Sequence, residues 1–437
     1  MQNQLTSSTR NILSHVFIFL LFLPKINIIT ISNESAGLRL DDIVLLICFL
    51  LFFGLKAFQR FKFNALERSY FAFFAIALFS NVVNIIFFSR SNPLYSLRLL
   101  EYFIFYYFGL YFFLNNSRMS ADKVLNAYLY FNFFIMALQA LGLIGGLTTE
   151  YGYLRDLAQG GDTLRAVGLT GGPWEISAII NIIFAHKIFS KKYSTIQLLL
   201  LFFTCSLFIS LTGSRVSLLT NFIILIFYYY KNSLSKTRFV LKLTFIALGC
   251  LLLLSIGNPV VERSKDLLSE NNLTILSEYY QNINVDETFK GFEEDKRVDD
   301  TDLSWLMRAN KWAYATKYWL QNASNITLGV GPGTWGPALD GGWLRILTEN
   351  GLVGLICFLW FLKKYNSSKS LQAVAIALSL NMLFIDIQMS YKTMSIFLFL
   401  AGYAQLCRLK TGRGFSYEKI TQKNPWPAFG KPQHHSK

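Results

Sequence analysis

Charged side chains are scarce in this chain, which carries 15% charged and 53% hydrophobic residues. Soluble proteins have about a quarter charged residues, so the shortage argues against a soluble globular fold. Several runs of about 20 mainly apolar residues are long enough to span a bilayer. The sequence therefore predicts an all-α polytopic membrane protein.

Cysteine is a second shortage. The five cysteines all lie within or at the ends of apolar runs: Cys48, Cys205, Cys250, Cys357 and Cys407. None belongs to a long polar connection, so the sequence predicts neither a disulfide framework nor a zinc site.

Apolar windows between polar breaks predict about twelve transmembrane helices. Their approximate limits are 11–30, 39–56, 69–88, 96–114, 123–146, 169–186, 195–211, 215–230, 239–257, 343–362, 371–389 and 392–407. The first window leads into further spans without a small-residue cleavage site, so it is interpreted as a retained helix. Helices 1–9 form a membrane domain over 1–257 and helices 10–12 occupy 343–407. One large loop, 258–342, separates them, and a basic tail covers 408–437.

Basic residues divide unequally between the two sides of the predicted bundle. The even-numbered connections carry fifteen: Lys56, Arg60, Lys62, Arg68, Arg118, Lys123, Lys187, Lys191, Lys192, Lys231, Lys236, Arg238, Lys363, Lys364 and Lys369. The odd-numbered short connections carry four: Arg90, Arg155, Arg165 and Arg215. By the positive-inside rule, the even connections and both termini are cytoplasmic. The net charge of +15 is then a topology signal and an attraction to anionic membrane lipid, and nucleic acid is excluded as a partner.

The large loop is predicted to face outward, and it holds 13 of the 26 acidic residues. Part of it is expected to form a helix with one packing face. That face comprises Trp305, Ala309, Trp312, Thr316 and Trp319. The Asp-Thr-Asp triplet at 300–302 matches the Asp-x-Asp of metal-dependent sugar transferases. It lies in an acidic run where such a match arises by chance, so it is interpreted as solvated surface.

Ionisable residues in the predicted spans are concentrated toward the outer face. The set comprises Lys25, Arg39, Asp41, Asp42, Arg98, Glu101, Glu175, Arg345, Glu349, Asp386 and Lys392, with Arg165 and Arg215 beside the same surface. Each such group costs about 2.5–3.5 kcal/mol at mid-bilayer, so a one-sided set indicates a polar chamber open to the outer face. Arginines there suit two-point binding of a pyrophosphate, and neighbouring carboxylates can deprotonate an attacking hydroxyl.

Four stretches resemble, in order, motifs of the O-antigen ligase and polymerase superfamily of bacterial polysaccharide assembly. They are RAVGLTGGPWE (165–175), LTGSRVSLL (211–219), Arg308 and Trp312 followed by GVGPG (329–333), and DGGWLRILTENGLVG (340–354). Each motif alone is weak. Their order, together with one large outer loop before three final helices, carries the resemblance over most of the chain.

The sequence departs from the ligases at two places. Ligases have a histidine where this chain has Asp340, and by the predicted topology none of the four histidines (His15, His186, His434 and His435) faces outside. The chain therefore resembles the polymerase branch (Wzy-type). The family also often has Pro-Asn near the first motif, where this chain has Pro173-Trp174-Glu175.

The resemblance implies polymerisation of polyprenyl-pyrophosphate-linked oligosaccharide repeat units into O-antigen, capsule or exopolysaccharide at the periplasmic face of the inner membrane. Pyrophosphate would be bound by Arg165, Arg215, Arg308 and Arg345. The general base would be Asp340, Glu175 or Glu349, and no metal, nucleotide or other cofactor is required. Two structural interpretations stay open: Asp340 as a helix cap, and Arg345 with Glu349 as a neutralising pair one turn apart.

Two other functions stay open at this stage. An O-antigen ligase would use the same donor with lipid A-core as acceptor. A lipid-linked oligosaccharide flippase would belong to another class, but transporters tend to have repeated halves and a midplane site, and no internal repeat is present. The expected partners are the lipid-linked donor and acceptor, membrane lipid and a chain-length regulator.

Overall fold

The structure, a computed structural model, describes residues 5–24, 27–30, 37–58, 62–87, 93–115, 120–145, 165–232, 244, 274, 277–278, 280–285, 303–336 and 338–411. Within these ranges the fold is helical, as the composition predicts. The described part contains thirteen α-helices, one 3-10 helix and one short antiparallel pair of strands.

The helices run as follows: α1 Ser7–Phe22, α2 Leu40–Phe58, α3 Ala65–Phe87, α4 Pro93–Leu110, α5 Ala121–Ala140, α6 Pro173–Ser190, α7 Thr195–Leu211, α8 Arg215–Asn232, α9 Leu303–Trp319, α10 Ala323–Leu328, α11 Gly342–Tyr365, α12 Lys369–Asn381 and α13 Tyr391–Thr411. The 3-10 helix spans Ile387–Met389. The strands are β1 Asn27–Thr30 and β2 Gly37–Arg39.

A described helix overlaps eleven of the twelve predicted spans, and the ninth, 239–257, lies outside the described residues apart from residue 244. Among the described helices, two are long and apolar enough to cross a membrane, Ala65–Ile86 and Gly342–Tyr365. The twelve-span arrangement therefore stays a prediction. Helices α9 and α10 lie in the large loop, which is partly helical as expected.

The first helix is shorter than its apolar run. It ends at Phe22, with Leu23 extended, and Pro24 follows. Proline lacks an N–H and pushes the preceding residue out of the helical region, which explains the end. The ammonium of Lys392, 372 residues away from Leu20, donates to the carbonyls of Leu20, Leu21 and Leu23. A side chain of α13 thus satisfies the carbonyl end of α1.

Helices α4 and α13 pack with their backbones in direct contact. A Cβ on Gly109 would lie 2.1 Å from the Phe399 carbonyl oxygen, and one on Gly402 would lie 1.9 Å from that of Tyr106. Only glycine permits this approach, as in other closely packed helix pairs. Around the contact the core is aromatic, with the Phe17 and Phe399 rings stacked at a centroid distance of 3.9 Å.

Helix α11 is kinked at Gly351, which has φ of +66°. The kink lies against the glycine-rich turn 329–333: a Cβ on Gly351 would lie 2.3 Å from the Thr327 carbonyl oxygen. Before the kink, the carbonyls of Thr348 and Glu349 accept hydrogen bonds of 2.9 Å from the N–H groups of Val330 and Gly331. The turn therefore satisfies backbone acceptors at the break.

Candidate functional site

Residues 381–390, from the last residue of α12 to the residue before α13, form a junction where three of the four motif stretches meet the same segment. The predicted span 371–389 is interrupted here, because α12 ends at Asn381. Asn381 accepts from the Ser217 hydroxyl at 2.7 Å, and the carbonyl of Ile385 accepts from the Gly342 N–H at 3.3 Å. Ser390 donates to the Glu175 carboxylate. Ser217 belongs to the second motif, Gly342 to the fourth and Glu175 to the first. The junction therefore brings these three motifs together.

Asp386 is the central carboxylate of the junction. It accepts from the backbone N–H groups of Leu339, Asp340 and Gly341 at 2.6, 3.2 and 2.9 Å. It also accepts from Nη1 of Arg345 at 2.9 Å. Four donors converge on one buried carboxylate, so Asp386 fixes the chain just before α11.

Arg345 is buried, with 1% of its side chain exposed. Its Nε lies 3.1 Å from Oε2 of Glu349, its Nη1 bonds Asp386, and its Nη2 donates to the Gly336 carbonyl at 2.7 Å. The Arg345–Glu349 pair that the sequence left open as a structural alternative is therefore present. All three guanidinium nitrogens contact groups of the protein itself.

Glu349 connects this pair to the glycine-rich turn. Its Oε1 accepts from the Gly333 N–H at 3.0 Å, while its Oε2 contacts Arg345. The side chain is buried. Through Glu349 the third motif, GVGPG, joins the same network, so all four resembling stretches are linked to the junction.

Glu175 is also buried and holds two elements together. Its Oε2 accepts from the Gly171 N–H at 2.9 Å, and its Oε1 accepts from the Lys392 N–H at 3.1 Å and from the Ser390 hydroxyl. These bonds tie the start of α6 to the start of α13. Both carboxylate oxygens are thus occupied by protein donors.

Asp340 and Arg308 form a looser pair. Nε of Arg308 lies 3.8 Å from Oδ2 of Asp340, and their side chains are 30% and 33% exposed. No hydrogen-bond partner for the Arg308 Nε lies within the described part of the chain. Burial raises the pKa of the Asp340 carboxyl, and Asp386 raises it further, while Arg308, Lys311 and Arg345 oppose the rise. About a third of each side chain is therefore accessible to a ligand, although the Arg308 Nε itself is buried.

The helix-cap interpretation of Asp340 is wrong. The N-cap of α11 is Gly341, and no side chain caps it. Asp340 precedes that position with φ of +61°, in the left-handed region. Among described residues it is the one non-glycine residue with a positive φ, a conformation that the surrounding contacts must enforce.

Helix α9 holds the segment that bears Asp340. The Trp312 indole donates to the Leu339 carbonyl at 3.1 Å, and Lys311 donates to the Ala338 carbonyl at 2.9 Å. Ala309 is buried on the same helix. The packing role predicted for this helix face is confirmed at Ala309 and Trp312, whereas Thr316 and Trp319 are only half-buried. The other buried residues of α9 lie outside the predicted face: Ala313, Tyr314 and Ala315. The side chain of Trp305 lies outside the described residues.

Arg165 and Arg215 lie at one turn formed by the first and second motifs. Nε of Arg165 donates to the Thr212 carbonyl at 2.9 Å, and the Ala166 N–H donates to the Leu211 carbonyl at 3.0 Å. Arg215 is the first residue of α8. The Ser177 and Ser217 hydroxyls are 2.8 Å apart and join α6 to α8. Sequence order alone separates these two arginines by fifty residues, and the fold places them at the same turn.

Sequence reasoning missed two amides of α5 that shape this turn. Asn132 accepts from the Leu169 N–H at 2.9 Å, and Gln139 accepts from the N–H groups of Val167 and Gly168 at 3.0 and 2.9 Å. The two amides are seven residues apart, on one face of a helix, inside an apolar run. That spacing is the signal that could have identified them.

One group of carboxylates has a spacing suited to a metal ion. Ligand oxygens of Asp41, Asp42 and Glu101 lie within 4.8 Å of one another in the described residues. All three belong to the ionisable set of the predicted chamber but have no predicted catalytic or binding role, and a group of carboxylates alone does not define a metal centre. The Asp-Thr-Asp triplet at 300–302 lies outside the described residues.

No model of a known protein family matches the chain, and no curated protein matches it.

Proposed function

We propose that this protein is a membrane glycosyltransferase that polymerises polyprenyl-pyrophosphate-linked oligosaccharide repeat units. The reaction would take place at the periplasmic face of the bacterial inner membrane. The observation that carries the proposal is the Arg308–Asp340 pair, about a third exposed and held beside a buried charge network at the junction of the four resembling motifs.

Exposed apolar helix faces support the membrane location. On α2, Leu46, Ile47 and Leu50 are 60–65% exposed, and on α3 Ile86 is 68% exposed. Soluble proteins rarely expose contiguous apolar surface of this kind, whereas lipid covers it without cost. The proposal keeps twelve spans with both termini in the cytoplasm, as the basic residues indicate.

In the proposed reaction, an acceptor sugar hydroxyl attacks the anomeric carbon of the growing glycan. A new C–O bond forms and the bond from that carbon to the pyrophosphate breaks, so polyprenyl pyrophosphate leaves. The hydroxyl proton passes to a carboxylate. Arg308, Arg165 and Arg215 bind pyrophosphate oxygens and stabilise the departing negative charge. The buried contacts of Arg345 favour a supporting role for that residue.

Asp340 is the favoured base among the three predicted carboxylates. Glu175 and Glu349 are buried and their oxygens are occupied by protein donors, whereas the Asp340 carboxylate is a third exposed. Its raised pKa moves it toward the operating pH, where a general base works best. Asp340 can thus reach a substrate hydroxyl and take its proton.

The glycan profile of a deletion strain tests the proposal. Loss of a polymerase leaves surface glycan with a single repeat, and expression of the chain from a plasmid restores the ladder. Accumulation of lipid-linked long polymer would instead indicate a ligase. Absence of any exported repeat would indicate a flippase.

A further inference from the structure

We infer that Asp386 is a positioning residue: it holds the backbone of 339–341 so that the Asp340 side chain is presented to the substrate. The inference rests on the proposed function, in which Asp340 is the base. It adds a residue to which the sequence motifs assign no role.

The first support is the number and order of donors. Three consecutive N–H groups, those of Leu339, Asp340 and Gly341, point at the Asp386 carboxylate. The fourth donor, Arg345, is bound in turn by Glu349. A carboxylate with this many charged and backbone donors is held firmly, because such bonds are stronger than those between neutral groups.

The second support is the place of these bonds relative to α11. A side chain that caps a helix accepts from N–H groups inside the first turn. The helix begins at Gly342, and the three donors to Asp386 all precede it. The bonds therefore fix the segment that carries Asp340, and they do not cap the first turn of α11.

The third support is the backbone conformation of Asp340. Its φ of +61° is unfavourable for a residue with a side chain and persists only where the surroundings enforce it. Asp386 accepts from the N–H of Asp340 and from those of both neighbours, and the Trp312 indole donates to the Leu339 carbonyl. These contacts direct the Asp340 carboxylate toward Arg308.

The charges around Asp340 give a readout that a purely structural role would not produce. Arg308, Lys311 and Arg345 are the cations near the carboxyl, and Asp386 is the anion. Removal of the Asp386 charge lowers the pKa of Asp340, because one of the groups that raise it is gone. The acid limb of the rate profile, which reports protonation of the base, then shifts to lower pH.

The test measures polymerisation of lipid-linked repeats by purified protein in proteoliposomes, as kcat, KM and a pH profile. For Asp386→Asn we expect kcat at least about tenfold lower, KM for the acceptor within about twofold, and an acid limb at lower pH. Asp386→Glu keeps the charge but lengthens the side chain. It is expected to lower kcat and leave the acid limb in place.

Glu67→Gln is the matched control, because Glu67 is another buried carboxylate paired with a cation, Lys56, at 2.7 Å. It is expected to lower protein yield while the acid limb stays at the wild-type pH. An equal shift of the limb in Glu67→Gln, or wild-type kcat in Asp386→Asn, would overturn the inference. If Asp386→Asn does not fold, wild-type kcat in Asp386→Glu overturns it instead.

The wild-type rate separates the two proposals. No polymer from wild-type protein with lipid-linked repeats would overturn the proposed function and this inference with it. Polymer from wild-type protein, with Asp386 variants that keep the wild-type rate, would overturn the inference alone.

Discussion

Nε of Arg308 lies 3.8 Å from Oδ2 of Asp340, and both side chains keep about a third of their surface exposed. The Arg345–Glu349 pair is closer, at 3.1 Å, and buried. The first pair can exchange its contacts for a ligand, whereas the second is enclosed by the fold. Substitutions in the two pairs should therefore have different effects, the first on activity and the second on stability.

Asp340→Asn should lower the polymerisation rate by about 10²–10⁴-fold, the usual contribution of a general base. Asparagine tolerates the left-handed conformation at this position and keeps the shape, so protein abundance should not change. The measurement is polymer formed per protein in isolated membranes supplied with lipid-linked repeats.

Glu175→Gln and Glu349→Gln serve as comparisons, because both carboxylates are buried in structural networks. They should lower the amount of folded protein more than the rate per folded molecule. A near wild-type rate in Asp340→Asn would exclude Asp340 as the base. The base would then be Glu175 or Glu349, or the reaction would proceed without a protein base.

Arg308→Lys and Arg215→Lys should each greatly shorten or abolish the polymer at unchanged protein abundance. Lysine keeps the charge but lacks the planar group that binds a pyrophosphate at two points. Arg408→Lys is a control on α13, where the arginine bonds the Ser367 carbonyl. Gel profiles of surface glycan report the result, and full-length polymer in both site variants would rule out pyrophosphate binding by these arginines.

Arg345→Ala should destabilise the protein by about 3–5 kcal/mol, the usual cost of leaving a buried charge without its partner. Arg308→Ala should change stability by about 1 kcal/mol or less, since its pair is partly exposed. Thermal unfolding in detergent compares the two variants. Equal stability of both would contradict the structural role of Arg345.

Gly351→Ala should reduce the yield of folded protein, because the new Cβ would lie 2.3 Å from the Thr327 carbonyl oxygen at a φ of +66°. Gly54→Ala in α2 is a matched control, since no atom lies within 4 Å of its added Cβ. Alanine there should be neutral or stabilising by up to about 1 kcal/mol. Similar yields from both variants would count against the kinked form of α11.

The proposed topology is tested by fused reporters. A reporter that is active only in the periplasm should be active when fused near Asn282 and silent near Lys364. The expectation comes from the excess of basic residues in the even-numbered connections. The reverse pattern would place the Arg308–Asp340 pair in the cytoplasm and remove the proposed reaction.

Local patterns in the sequence predicted the helices and their local contacts. Apolar runs identified helix positions, and the four-residue spacing of Arg345 and Glu349 left open an ion pair that the structure contains. The aromatic and small residues of α9 indicated its packing face, which Ala309 and Trp312 bear out.

Features that depend on distant residues could not be predicted in this way. The run 371–389 is mainly apolar and has Asp386 as its one charged residue, so its hydropathy predicts a single span. At its break, Asp386 accepts a hydrogen bond from the N–H of Leu339, 47 residues earlier, and hydropathy contains no such information. The kink at Gly351 likewise depends on contact with the turn at 329–333.

The bond between Lys392 and the end of α1 bears on the order in which the chain becomes structured during translation. Leu20, Leu21 and Leu23 are synthesised early, whereas Lys392, which donates to their carbonyls, is synthesised 372 residues after Leu20. The backbone N–H of the same lysine also binds Glu175. In the nascent chain, the carbonyls at the end of α1 and the Glu175 carboxylate therefore lack these donors until α13 emerges from the ribosome. The junction is thus completed late in biosynthesis.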